Sequence, residues 1–131
     1  MTAQESKDFI VRYFTDLTSQ PKTAEVIDRY VDDAKLKQHI LELEAAFPNY
    51  QGELVNMIAE GDFVSLDARI LGVHKGELNG VPATGRQVDV PFHITYKIQD
   101  GKIVDHWMVM DTVALLTQLG VMGSMGVEES K

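Results

Sequence analysis

The sequence predicts an α+β fold, and the first observation behind this is a change of period at Pro48. Ahead of that residue, apolar side chains recur every three and four positions, the spacing of a helix with one buried face. Behind it they alternate, as in strands with one face against a core. A second observation is Asp100-Gly101, set between two apolar runs, the strongest short-range signal for a two-residue hairpin turn.

Taken in order, Phe9, Ile10, Tyr13, Phe14 and Leu17 form the buried stripe of a first helix, which "SQPK" ends. A second, short helix carries Val26, Ile27, Tyr30 and Val31. A third opens near Asp33 and lines up Leu36, His39, Ile40, Leu43 and Phe47 before Pro48 stops it. "ELVNMIAEGDFVSLDARIL" then reads as two strands around Glu60-Gly61-Asp62. Residues 79–87, "NGVPATGRQ", make a loop that could rim a site. "VDVPFHITYKI" and "IVDHWMVMD" pair through the Asp-Gly turn, and "TVALLTQLG" is a closing helix stopped by Gly120.

With 131 residues, 44% hydrophobic and 24% charged, one domain over 1–131 is expected, residues 121–131 forming a loose tail. The net charge of −8 and the scatter of Lys and Arg argue against nucleic acid. The absence of cysteine removes disulfides and thiol nucleophiles. No stretch approaches the roughly 18 apolar residues of a membrane span, and "MTAQESKDFIVRYF" lacks the basic start and apolar run of a signal peptide. The expectation is a cytoplasmic protein with no membrane association.

The hairpin sets a register. If Asp100 and Gly101 are the loop, Ile98 faces Ile103, Tyr96 faces Asp105, Ile94 faces Trp107, Phe92 faces Val109 and Val90 faces Asp111. These residues would form the inner face, leaving His93 and His106 on the opposite one, where dimer packing is the expected role. Asp111 would then enter the apolar space of Trp107. A β-bulge would reverse the assignment beyond it.

Several stretches taken together resemble the SnoaL-like polyketide cyclase family: "HI" at 39–40, "AFPNY" at 46–50, "IAEGDFV" at 58–64, "GVHKGELNGVPATGRQV" at 72–88, "DGKIVDHW" at 100–107, Asp111, and "QLGV" at 118–121. Val73, Ala83 and Lys97 depart from the family pattern. The resemblance implies an NTF2-like (cystatin-like) fold, a curved antiparallel sheet whose N-terminal helices enclose a conical pocket, and dimers formed through the sheet. It also implies a cofactor-free intramolecular aldol condensation of a small hydrophobic polyketide-like substrate, with Asp111 as general acid and base.

The chemistry fits such a role. A carboxyl walled by Trp107 and Phe92 has its charged form disfavoured, which raises its pKa toward the working pH. His39, on a buried stripe, is either a hydrogen-bonded core residue or a donor to a substrate carbonyl; Trp107, Phe92, Tyr30 and Ile94 are the expected pocket wall. Beside this stands a plainer reading of Asp111, the N-cap of the closing helix. Another NTF2-like activity (isomerase, dehydratase or hydrolase) and a non-catalytic binding or dimerisation module are the rival functions. His74 is open between strand-edge polarity and rim contact. The four histidines lack metal-ligand spacing, so no metal and no cofactor are expected. Ser6, Ser19, Ser65, Ser124 and Ser130 lie outside any Gly-x-Ser-x-Gly elbow, which leaves a Ser-His-Asp triad unsupported.

Overall fold

The computed structural model describes residues 2–18 and 20–121. The tail expected beyond Val121 lies outside them. The elements run α1 (Ala3–Leu17), α2 (Ala24–Asp28), α3 (Ala34–Ala46), β1 (Gln51–Glu60), β2 (Phe63–Val73), β3 (Gln87–Gln99), β4 (Lys102–Met110) and α4 (Thr112–Gln118).

Each helix begins where a side chain satisfies its free N–H groups. Thr2 and Glu5 form a reciprocal capping box on α1, Thr23 accepts from the Val26 N–H on α2, and Asp33 Oδ1 accepts from the Lys35 and Leu36 N–H groups at 3.1 and 3.2 Å on α3. The strands form one antiparallel sheet in the order β1-β2-β3-β4. Its hairpins turn as expected: Glu60 pairs with Phe63 across Gly61-Asp62, and Gln99 with Lys102 across Asp100-Gly101. Both residues of the second turn have positive φ, 53° and 76°, the primed geometry that an Asp-Gly pair supplies.

The helices cover one face of the sheet. Phe9, Ile10 and Tyr13 of α1 and Leu36 and Ile40 of α3 pack with Leu66, Ile94, Tyr96 and Ile103 in the main core. A second cluster joins Leu43 and Phe47 to Val88, Val90, Leu115 and Leu119, so α4 closes the far end. Fully burying an aliphatic or aromatic side chain of this size contributes about 1.5–3 kcal/mol before entropy is counted.

The predicted register fails beyond the turn. Ile98 does oppose Ile103, but the next pair is Lys97 with Asp105, so Val104 is an extra residue in β4. From there Tyr96 opposes His106, Thr95 opposes Trp107, Ile94 opposes Met108 and His93 opposes Val109. One inserted residue exchanges the faces. Trp107 and Val109 are 53% and 72% exposed on the outer face, whereas His106, Met108 and Met110 turn inward. The bulge adjoins a tie to β4 from the chain before α3. Ile103 N–H donates to the Tyr30 carbonyl at 2.8 Å, and Asp32 N–H donates to the Ile103 carbonyl at 2.7 Å. These bonds bring Asp33 next to His106.

Candidate functional site

Between α3 and the sheet lies a small cavity of about 50 Å³, walled by Ile40, Leu43, Phe92, Ile94 and Met108 with polar groups from Tyr13, His39, Tyr50 and Tyr96. A second, of about 60 Å³, shares Tyr13, Tyr50 and Tyr96 and extends to Lys22. The Tyr13 and Tyr96 hydroxyls hydrogen-bond each other, and burial raises the pKa of Tyr13, Tyr50 and Tyr96 above the ordinary phenol value. These phenols therefore stay protonated. Lys22, also buried, donates to the carbonyls of Gln20 at 3.0 Å and Tyr50 at 2.5 Å and pairs with Glu44 at 3.4 Å. Burial lowers its pKa, but its donors are already engaged, so it ties the α1–α2 connection to β1.

Of the expected pocket residues, His39, Phe92 and Ile94 line the cavity beneath α3. The His39 Nε2 is buried with no hydrogen-bond partner. Burial first, and then the neighbouring His106, lower its pKa, so the ring is held neutral. A buried, unpaired polar atom costs stability and suits a group kept for a ligand.

Trp107 and Tyr30 do not wall this cavity. Trp107 stacks near Phe63 on the outer face, with ring centroids 6.2 Å apart. Tyr30 packs against Phe9 and Tyr13, and its hydroxyl donates to Asp16. Asp111 is exposed and its Oδ1 accepts the Ala114 N–H at 2.9 Å, which is the cap of α4. The expectation that Trp107 and Phe92 enclose this carboxyl is thus corrected, and the physical reason is the extra residue at Val104.

The sequence places Asp33 at the start of the third helix and His106 on the outer face, and does not bring the two together. Asp33 Oδ2 lies 2.7 Å from His106 Nδ1, and both side chains are largely buried. Asp33 was legible as a helix start, but its second oxygen's partner depends on the bulge. Asp33, Asp105 and His106 have ligand-type atoms within 4.8 Å of one another. The direct Nδ1–Oδ2 contact is a hydrogen bond.

His74 and His93 have structural partners on one ring nitrogen at least, although the His74 Nε2, like that of His39, is buried without one. His74 is fully buried; its Nδ1 accepts from the Thr84 N–H at 3.1 Å, and its ring lies 5.3 Å from that of Phe47. It pins the loop after β2. On the outer face His93 bridges Asp67 at 2.9 Å and Ser65 at 3.0 Å. This has the order of a Ser-His-Asp triad, but β2 and β3 are central strands whose backbone N–H groups are committed to the sheet. The group acts as a cross-strand polar brace. A larger, open hollow of about 500 Å³ lies on this face, lined by residues including Arg69, Pro91, Val109 and Asp111. One side of it is solvent, so it lacks the desolvation of the interior.

A model of the SnoaL-like polyketide cyclase family matches residues 5–119. No curated protein matches the chain. Among solved structures, AclR of Streptomyces galilaeus, described as a candidate hydroxylase, is 26% identical, with a TM-score of 0.78 over 92% of this chain and 87% of that one. A candidate SnoaL-like polyketide cyclase from Jannaschia sp. CCS1 is 22% identical, with a TM-score of 0.77 over 89% and 92% of the two chains. IdmH of Streptomyces antibioticus, a candidate polyketide cyclase, is 24% identical, with a TM-score of 0.71 over 89% and 99%. The curved antiparallel sheet with covering helices is the NTF2-like fold of these neighbours.

Proposed function

This chain belongs to the SnoaL-like polyketide cyclase family, and from that premise we propose that it is a cofactor-independent cyclase. It closes a ring of a small, largely apolar, polyketide-like substrate by intramolecular aldol addition in the interior beneath α3. The observation that carries this reading is the buried, unpartnered His39 Nε2 beside a cavity walled by aliphatic and aromatic side chains and three tyrosines. A neutral imidazole there donates to a substrate carbonyl and stabilises the enolate oxygen that forms on it. Asp111, the acid/base that the resemblance implies, lines the outer hollow instead. That supports giving the proton to an inward-facing residue.

A cavity of about 50 Å³ has room for a water molecule, whereas organic ligands occupy sites of roughly 300–1,000 Å³. Substrate entry therefore entails separating α3 from the sheet and displacing Met108. The partner proposed for the outer face is a second copy of this chain, supported by the exposed Ile58, Trp107 and Val109. No helix among the described residues is long and apolar enough to cross a membrane, and a cytoplasmic location is proposed.

The test uses heptane-2,6-dione, a diketone that closes to a six-membered ring by the same chemistry. The wild-type protein should accelerate closure over buffer, Asp111→Asn should retain the acceleration, and His39→Leu should lose roughly 10²–10³ of it, as removal of an oxyanion donor does. Equal rates with and without protein would refute the reading. The likeness to AclR, described as a candidate hydroxylase, favours a second reading, hydroxylation of the substrate by dioxygen with an added two-electron reductant. Product mass separates the two, because aldol closure leaves it unchanged and hydroxylation adds one oxygen.

A further inference from the structure

We infer that Asp33 is a positioning residue that fixes His106 with its proton on Nδ1, leaving Nε2 as the base that takes the substrate proton. This deepens the cyclase reading and rests on it. The two oxygens of Asp33 have different tasks. Oδ1 caps α3, the helix that carries His39, by accepting the Lys35 and Leu36 N–H groups. Oδ2 faces His106 Nδ1 at 2.7 Å. An ionised carboxylate only accepts, so the proton of that contact sits on Nδ1, and a ring carrying that one proton has its lone pair on Nε2. No described residue hydrogen-bonds Nε2. One carboxylate therefore sets both the start of the His39 helix and the tautomer of the second inward-facing histidine.

His106 adjoins the lining of the cavity without being part of it. His106 opposes Tyr96 and lies two residues before Met108 on the inward face of β4, and both of those residues line the cavity. The charged and titratable groups packed around it are Asp33 and His39 from the α3 region, Asp105 from its own strand and Tyr96 from β3. In the reaction, Nε2 removes a proton from the carbon next to a carbonyl, and the C–H electron pair becomes the enolate. Its oxygen is held by His39. The enolate carbon then bonds to the second carbonyl carbon, and the alkoxide so formed takes the proton back from Nε2. Atoms and charge balance with no added reagent, and one group holds the proton in both steps.

Asp33→Asn discriminates. Asparagine caps a helix about as well as aspartate. With Oδ1 committed to the α3 N–H groups, the amide NH₂ faces His106 Nδ1, which must then accept, and the ring proton moves to Nε2. Imidazole ¹⁵N NMR of the free protein should show Nδ1–H in the wild type and Nε2–H in Asp33→Asn, at unchanged helix content by circular dichroism. Deuterium wash-in next to the carbonyls of heptane-2,6-dione in D₂O isolates the proton transfer from ring closure. It should fall by about 10²-fold in both Asp33→Asn and His106→Gln. A wild-type His106 protonated on Nε2, or an unchanged tautomer in Asp33→Asn, overturns the inference. So does wild-type wash-in by an Asp33→Asn protein whose tautomer has flipped, and that result leaves the interior site standing. A wild-type protein that catalyses neither wash-in nor closure overturns both.

Discussion

Asp111 Oδ1 accepts the backbone N–H of Ala114 at 2.9 Å, so the carboxylate that ends β4 also begins α4. This geometry is satisfied by any good capping side chain. Asp111→Asn should therefore leave stability nearly unchanged, while Asp111→Ala should cost about 0.5–2 kcal/mol by urea unfolding. A loss of the same size in both variants would mean that charge, not capping, is what the site uses.

The buried His39 gives a prediction of opposite sign for stability and activity. His39→Leu removes an unpaired polar atom, so it should raise the unfolding free energy by about 1 kcal/mol even as turnover is lost. The pH dependence has a definite direction. The folded-state pKa lies below the ordinary 6.5 through burial and the nearby His106, so the unfolded chain binds more protons in the window between the two values. Stability should be fully present above about pH 6.5 and fall as pH drops through the folded-state value. In His39→Leu this part of the slope should be absent from denaturation curves measured between pH 5 and 8, a range set by histidine titration.

How much of this was readable in advance depends on the residue. The inward placement of His39, Phe92 and Ile94 is legible because helical and strand periodicity each fix a face from local sequence alone. Trp107, His106 and Asp111 were misplaced because their face depends on counting residues from the Asp100-Gly101 turn, and Val104 breaks the count. Hydropathy gave little correction: beyond the bulge the inward set is His106, Met108 and Met110, and the outward set is Asp105, Trp107 and Val109. The bond from Asp33 to His106 spans 73 positions and is a product of the tertiary fold.

Gly76 shows a backbone constraint with no trace in periodicity. A Cβ built on it would lie 2.1 Å from the Ala45 carbonyl oxygen, and its N–H donates to the Ala46 carbonyl at 3.1 Å. Gly76→Ala should force the loop away from the end of α3 and destabilise by about 1–3 kcal/mol. A neutral outcome in thermal unfolding would show that the loop gives way freely.

The proposed assembly is tested on the outer face. Val109, 72% exposed there, has no role in the interior site. Val109→Glu should convert a light-scattering mass of two chains into that of one, with far-UV circular dichroism unchanged. A wild-type protein that is monomeric at micromolar concentration would remove the proposal.

The central claim is that ligand chemistry belongs to the interior beneath α3 and not to the outer hollow. NMR titration with methyl acetoacetate, a minimal β-keto ester, tests this most directly by following histidine imidazole and side-chain methyl signals together. Saturable shifts at His39, His106, Ile94 and Met108, with His93 and Val109 unmoved, are the predicted result; shifts confined to His93 and Val109 would contradict it.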